Sequence, residues 1–186
     1  MTEQWTGNKG EWSEAYTFLK LLIEPLVPAA AYDLSHLPGK YYLVKSIQTP
    51  AAPGRAFTPL ANLYGHDDTG IVRLEDIQSL VPKLLNAIRQ NNNVFSVPEA
   101  QGILERMGFQ GFKANSGVKI DIELELPNLG GGQDRKLGFS IKSQLGQPSS
   151  LLNPSGATEI TFQVSNKTQI VPASYREIKD KFLRSD

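Results

Sequence analysis

Residues Val118 to Leu126 alternate without a break. Val118, Ile120, Ile122, Leu124 and Leu126 fall on one side, and Lys119, Asp121, Glu123 and Glu125 on the other. A period of two is the mark of a strand with one buried face. Leu137 to Gln144 repeats it: Leu137, Phe139 and Ile141 oppose Ser140, Lys142 and Gln144. The turn Gly130-Gly131-Gly132-Gln133-Asp134 lies between the two runs. Two alternating runs joined by a short Gly-rich turn predict an antiparallel pair. A slip of one residue would turn every apolar side chain to solvent, so the pattern also restricts the register.

The other elements follow from local signals. Asn8 with Glu11 has capping-box spacing, and Trp12, Tyr16, Leu19, Ile23 and Leu26 recur at helical spacing. A helix is expected from about Lys9 to Val27, with Pro25 kinking its end and Pro28 closing it. Residues 29–70 are rich in turn signals around one expected strand, Tyr41 to Ile47. A short strand at Ile71–Leu74 should lead into a helix from Glu75 to Gln90, with Leu80, Leu84, Leu85 and Ile88 as its stripe. Ser96 and Glu99 repeat the capping-box spacing before a helix over Val97–Met107. A third strand over Glu159–Val164 and an amphipathic helix over 174–184 (Tyr175, Ile178, Phe182) complete the chain. The expectation is one α/β (α+β) domain over 1–186. It has a helical and turn-rich half at 1–95 and a sheet region at 96–165, with a mixed or antiparallel central sheet flanked by helices.

Composition removes several function classes. The chain has 186 residues, 19 Lys+Arg against 19 Asp+Glu, and no cysteine. A wholly basic nucleic-acid coat and an acidic tail are excluded, although a local basic groove is not. A disulfide scaffold, a thiol nucleophile and a zinc–thiolate site are also excluded. His36 and His66, the two histidines, are expected in surface loops and cannot form a His-rich metal cage. Trp5 and Trp12 are expected to pack rather than to stack on a ligand. No run approaches the roughly 18 apolar residues of a membrane span, so no membrane partner is expected and the cytoplasm is the default compartment.

The polar face of the hairpin carries the candidate chemistry. Asp121 and Glu123 line one strand; Ser140, Lys142 and Gln144 line the next. Glu14, on the first helix, has Phe18 and Leu21 as neighbours one and two turns on, an apolar setting for an acid. A solvated strand face explains the alternation alone. Clustered acids beside a lysine also suit phosphodiester hydrolysis. Two carboxylates ~4 Å apart repel by ~4 kcal/mol at an effective dielectric of ~20. A hard cation such as Mg²⁺ converts that penalty into affinity and offsets charge on a phosphate. The loop Ser149–Thr158, with Ser149, Ser150, Asn153, Ser155 and Thr158, is the candidate DNA contact. Lys113, Lys119, Arg135, Lys136 and Lys167 are the candidate phosphate strip.

Three segments carry a resemblance: Asn8-Lys-Gly-Glu-Trp-Ser-Glu14, Lys119-Ile-Asp-Ile122, and Gly138-Phe-Ser-Ile-Lys-Ser-Gln-Leu-Gly146 running on to Ser150-Leu-Leu-Asn-Pro-Ser-Gly-Ala-Thr158. Together they resemble the HpaII-type restriction endonucleases. The resemblance implies a type II enzyme with a PD-(D/E)XK-like core. It also implies recognition of CCGG in double-stranded DNA, Mg²⁺, a homodimer matched to the palindrome, and a cognate DNA methyltransferase. On that pattern Asp121 is the metal-binding acid and Lys142 the catalytic lysine. Ser140 stands where the general motif has its second acid. Glu14 and Glu123 are then the candidate replacements, and Gln144 the candidate for holding a water. Members of the family run longer, which leaves a truncated member lacking their C-terminal part, a fragment and a compact relative as readings of this chain. A non-cleaving DNA-binding module and a protein-interaction domain are the alternatives.

Overall fold

The computed structural model describes residues 3–33, 35–66, 70–112, 120–128, 132–143 and 145, all within the unit Met1–Ser149. The expected strand at Glu159–Val164 and the expected helix at 174–184 lie outside the described residues.

Helix α1 spans Lys9–Ile23 and starts as expected. The Glu11 amide donates to Asn8 Oδ1 at 3.0 Å, and the Asn8 amide donates to Glu11 Oε2 at 2.8 Å. The helix ends short of the expected Val27. Pro25 has no N–H to continue it, and its carbonyl instead accepts from the Val44 amide at 2.8 Å. The chain then enters β1 (Leu26–Ala30), which pairs antiparallel with β2 (His36–Leu43). His36 therefore sits in a strand, edge-on to Tyr41, rather than in a loop.

The expected strand Tyr41–Ile47 is split between two sheets. Val44 bonds back to Pro25, while the next amide, Lys45, donates to Glu125 O at 2.9 Å. That exchange of partners ends β2 and begins β3 (Ser46–Gln48). A second hairpin, β4 (Leu63–His66) with β5 (Gly70–Arg73), leads into α2 (Leu74–Gln90). Ile77, Leu80, Val81, Leu84 and Ile88 are the buried stripe of α2. Helix α3 spans Pro98–Arg106. Its expected Ser96–Glu99 box does not form. Val97 is the N-cap without a side-chain bond. Ser96 Oγ accepts from Gln4 Nε2 at 2.7 Å, and Glu99 pairs with Lys83 at 2.7 Å.

The hairpin that the alternation predicts is present: β6 (Ile122–Leu126) and β7 (Arg135–Phe139) are antiparallel. Leu124 opposes Leu137, and Ile122 opposes Phe139. With β3 they form a three-stranded antiparallel sheet in the order β3-β6-β7. Ile122, Leu124 and Leu126 are buried, as their phase requires. Both strands are shorter than their alternating runs. β7 stops at Phe139 because the next residues turn onto Asp121. On β7, the edge strand of this sheet among the described residues, all five residues are exposed.

The core joins α1 (Trp12, Phe18, Leu19, Leu22) to α2 (Ile77, Leu80, Leu84, Ile88) and to the sheet through Ile47, Ile122 and Leu124. Trp12 is fully buried, and its indole N–H donates to Phe95 O at 3.0 Å. Phe18 meets Phe57 and Phe109 edge-on, with centroids 5.0 and 4.9 Å away. Both tryptophans pack, Trp5 against Phe112. Among the described residues no helix is long and apolar enough to cross a membrane.

Candidate active site

Asp121 is held before any chemistry is asked of it. It stands one residue ahead of β6. Its amide donates to Phe139 O at 3.0 Å, and its carbonyl accepts from Thr49 Oγ1 at 3.2 Å. Its carboxylate takes two hydrogen bonds on the same oxygen. The Ile141 amide donates to Oδ2 at 2.6 Å, and Ser140 Oγ donates to it at 3.0 Å. Hydrogen bonds to an ionised acceptor are strong and directional. Among the described residues none reaches Oδ1, so the anchoring falls on one oxygen. Ser140 thus orients the acid across from it.

Glu14 approaches from α1. A water-sized cavity of about 20 Å³ lies between Glu11, Glu14, Thr49 and Asp121 on its polar side and Phe18, Phe109 and Phe112 on its apolar side. That space holds about one water or one small ion. Burial pushes the Glu14 carboxyl from 4.5 up to about 7; the charges of Asp121 and Glu11 add to the rise, and Lys142 works against it. Desolvation disfavours the anion, and like charges do the same. Glu11 also lines the cavity, and its Oε2 accepts from the Asn8 amide in the helix cap.

Lys142 is exposed, on a stretch without regular structure. That stretch is nevertheless fixed at both ends, on Asp121 through Ser140 and Ile141 and on α1 through Ser143 and Leu145. The ion pairs among the described residues are Lys20–Glu24, Lys45–Asp134 and Lys83–Glu99. None of them neutralises Lys142, Glu14 or Asp121.

The remaining candidates divide. Glu123 lies further along β6, between Gln48 and Gly138 in register, and it is not among the residues that line the cavity. Lys136 is exposed on β7 opposite Glu125. Gln144, Lys119, Ser149, Ser150, Asn153, Ser155 and Thr158 lie outside the described residues, as do Lys113 and Lys167. Among the described residues no three His, Asp or Glu side chains form a ready metal cage. Mg²⁺ does not need one, because it commonly takes one or two carboxylates and keeps waters or phosphate oxygens.

The family model described as HpaII restriction endonuclease matches residues 8–181. The chain belongs to the HpaII restriction endonuclease family. It is 34% identical over 177 residues to the type II restriction enzyme HpaII of Haemophilus parainfluenzae. The alignment covers 89% of this chain and 48% of that enzyme, so the chain spans about half the length of the curated relative it matches. No solved structure matches. The family span begins at Asn8, the cap of α1, and includes every residue that lines the cavity.

Sequence reasoning missed Thr49, Ser13, Ser143 and Lys9. Thr49 lies in a proline-rich stretch with no periodicity. The other three carry hydroxyl or amine groups whose partners are distant in sequence.

Proposed function

We propose that the chain is a Mg²⁺-dependent type II deoxyribonuclease that hydrolyses a phosphodiester bond of double-stranded DNA, at CCGG, with a PD-(D/E)XK-like core. The observation that carries this reading is the meeting of Asp121 and Glu14, from separate elements, at one ion-sized cavity with Lys142 beside them. Asp121 and Glu14 would hold the ion, with Glu123 as the acid further along β6. Bound there, Mg²⁺ would offset the negative charge of the scissile phosphate and make the attacking water more acidic.

The protein's own residues do the rest. Ser140 and the Ile141 amide keep Asp121 in one orientation and cost nothing in reorganisation when substrate arrives. Glu14 would lose its proton more readily with a cation bound, because the cation's charge would offset the desolvation and the neighbouring charges of Asp121 and Glu11 that hold its pKa up. Lys142, exposed and close enough to act on the Glu14 charge, would orient the water and face the charge that builds on the phosphate. Gln144 is proposed to hold that water. The loop with Ser149, Ser150, Asn153, Ser155 and Thr158 is proposed to read DNA, and Lys119 and Lys136 to contact phosphates. A homodimer would match the two-fold symmetry of CCGG, and a cognate methyltransferase would protect host sites.

The test is cleavage of a duplex with one CCGG site, with and without Mg²⁺, with the product ends mapped. Cuts confined to that site, dependent on Mg²⁺ and lost in Asp121→Ala and Lys142→Ala, support the reading. Specific retention of the duplex with no nick at any enzyme concentration refutes it and leaves a DNA-binding module.

A further inference from the structure

Lys142 has no helix or strand to hold it. Its position depends on what its neighbours touch. Upstream, Ser140 and Ile141 end on Asp121. Downstream, the contacts go to α1. Ser143 Oγ lies 2.9 Å from Ser13 Oγ, and Leu145 O accepts from Lys9 Nζ at 2.9 Å. Ser143 Oγ also accepts from the Leu145 amide at 3.3 Å.

The proton count gives the hydroxyl pair a direction. Each serine has one O–H. Ser13 Oγ lies 2.6 Å from Lys9 O and donates to it. The proton between the two serines is therefore that of Ser143, with Ser13 as acceptor. Ser13 is buried, at 6% exposure. Lys9 and Ser13 are four residues apart and share one helix face. The adjacent residue, Glu14, points to the cavity. One turn of α1 thus carries an acid of the site and two anchors for the segment that bears its lysine.

We propose that Ser13, acting through Ser143, is a positioning residue that holds the Lys142 segment on α1 and so sets the spacing between Lys142 and the Glu14–Asp121 pair. Ser13 does not touch substrate. The catalytic consequence rests on the nuclease reading above; the anchoring does not.

A serine bonded to the carbonyl four residues back is also an ordinary helix feature, so stability alone does not decide. The deciding measurement is single-turnover cleavage of the CCGG duplex at saturating Mg²⁺, at a temperature where every variant is folded by circular dichroism. DNA affinity is measured separately in Ca²⁺. Ser13→Ala and Ser143→Ala should each slow the step by roughly 10- to 100-fold, the scale of a misplaced catalytic group, with Kd within about twofold. The double variant should be no slower than the slower single variant, because the Ser13–Ser143 contact that holds the segment is already lost in either single variant. Ser143→Thr keeps the hydroxyl and should recover most of the rate. Unchanged rates, additive losses, or Ser143→Thr no better than Ser143→Ala overturn the proposal.

Amide hydrogen exchange gives a readout that needs no activity. Ser13→Ala should expose the amides of Ile141 and Leu145 while those of α1 stay protected. If the wild-type chain does not cut, the nuclease reading falls and exchange alone decides the anchoring. Lost protection at Ile141 supports it, and unchanged protection overturns it.

Discussion

Replacing Glu14 by Gln should stabilise the metal-free protein at pH 8 and leave it unchanged near pH 4.5. In the folded chain burial, then Asp121 and Glu11, hold the Glu14 carboxyl at about 7 against an ordinary 4.5. The folded state therefore binds this proton more tightly than the unfolded state does. Below pH 4.5 both states carry it and no difference arises. Between 4.5 and 7 the unfolded chain has lost it and the folded chain has not, so stability falls as pH rises. Above 7 both are ionised and the full cost remains. At ~1.4 kcal/mol per pH unit that cost is roughly 3 kcal/mol. Solvent on the Lys142 side screens it to about 1–2 kcal/mol. Gln keeps the shape and lacks the charge. The expected gain in midpoint is about 2–6 °C at pH 8 for a chain of this length. The assay is thermal unfolding of both proteins at closely spaced pH values, in EDTA and in Mg²⁺. Titrating groups not coupled to Glu14 cancel in the difference between the two proteins. Mg²⁺ should narrow that difference by stabilising the wild type, and Glu14→Gln should not cleave. A difference in midpoint that is the same at pH 5 and pH 8, or a variant less stable than wild type at pH 8, refutes the reasoning.

Lys142→Ala should cost several powers of ten in single-turnover rate, at ~1.4 kcal/mol per power. Lys142→Arg should not restore it, since a guanidinium cannot act as a compact donor in the same place. Ser140→Ala removes one hydrogen bond to a charged group, about 1.5–3 kcal/mol, and should slow cleavage by about 10- to 100-fold with DNA affinity in Ca²⁺ unchanged. Phe18→Ala opens the aromatic wall behind the cavity and should lower unfolding free energy by about 3–5 kcal/mol in urea titration. Gly7→Ala places a Cβ 2.8 Å from the Phe112 ring and should cost about 1–3 kcal/mol by the same measurement.

The parts that could be read in the sequence are those whose cause is local. The start of α1 follows from Asn8 and Glu11, residues three apart that bond to one another. The β6–β7 hairpin follows from a period of two, and its register brings Asp121 level with the end of β7. Glu14 is legible because Phe18 and Leu21 give an acid an apolar setting on the helix; in the folded chain burial, with the charges of Asp121 and Glu11, raises its pKa. What was missed depends on distant partners. The end of α1 is set by Val44, reaching Pro25 from the next hairpin. Ser96 has the spacing of a helix cap, but Gln4 takes its hydroxyl, where Gly7 and Phe95 bring the N-terminal segment alongside. Thr49 and Ser13 have no signature at all, since a hydroxyl fits a turn, a helix or a strand equally well.

The anchoring of Asp121 by Ser140 has an evolutionary consequence. An acid at position 140 would match the general nuclease motif more closely, and one substitution would supply it. That step is closed by itself. A carboxylate there has no proton to donate at neutral pH, so Asp121 would lose a donor and gain a like charge about 3 Å away. The repulsion is roughly 1–5 kcal/mol, depending on how much solvent enters. A carboxylate at position 140 therefore needs either a cation between it and Asp121 or another donor for Asp121 Oδ2, so Ser140 and the conformation of Asp121 are fixed together.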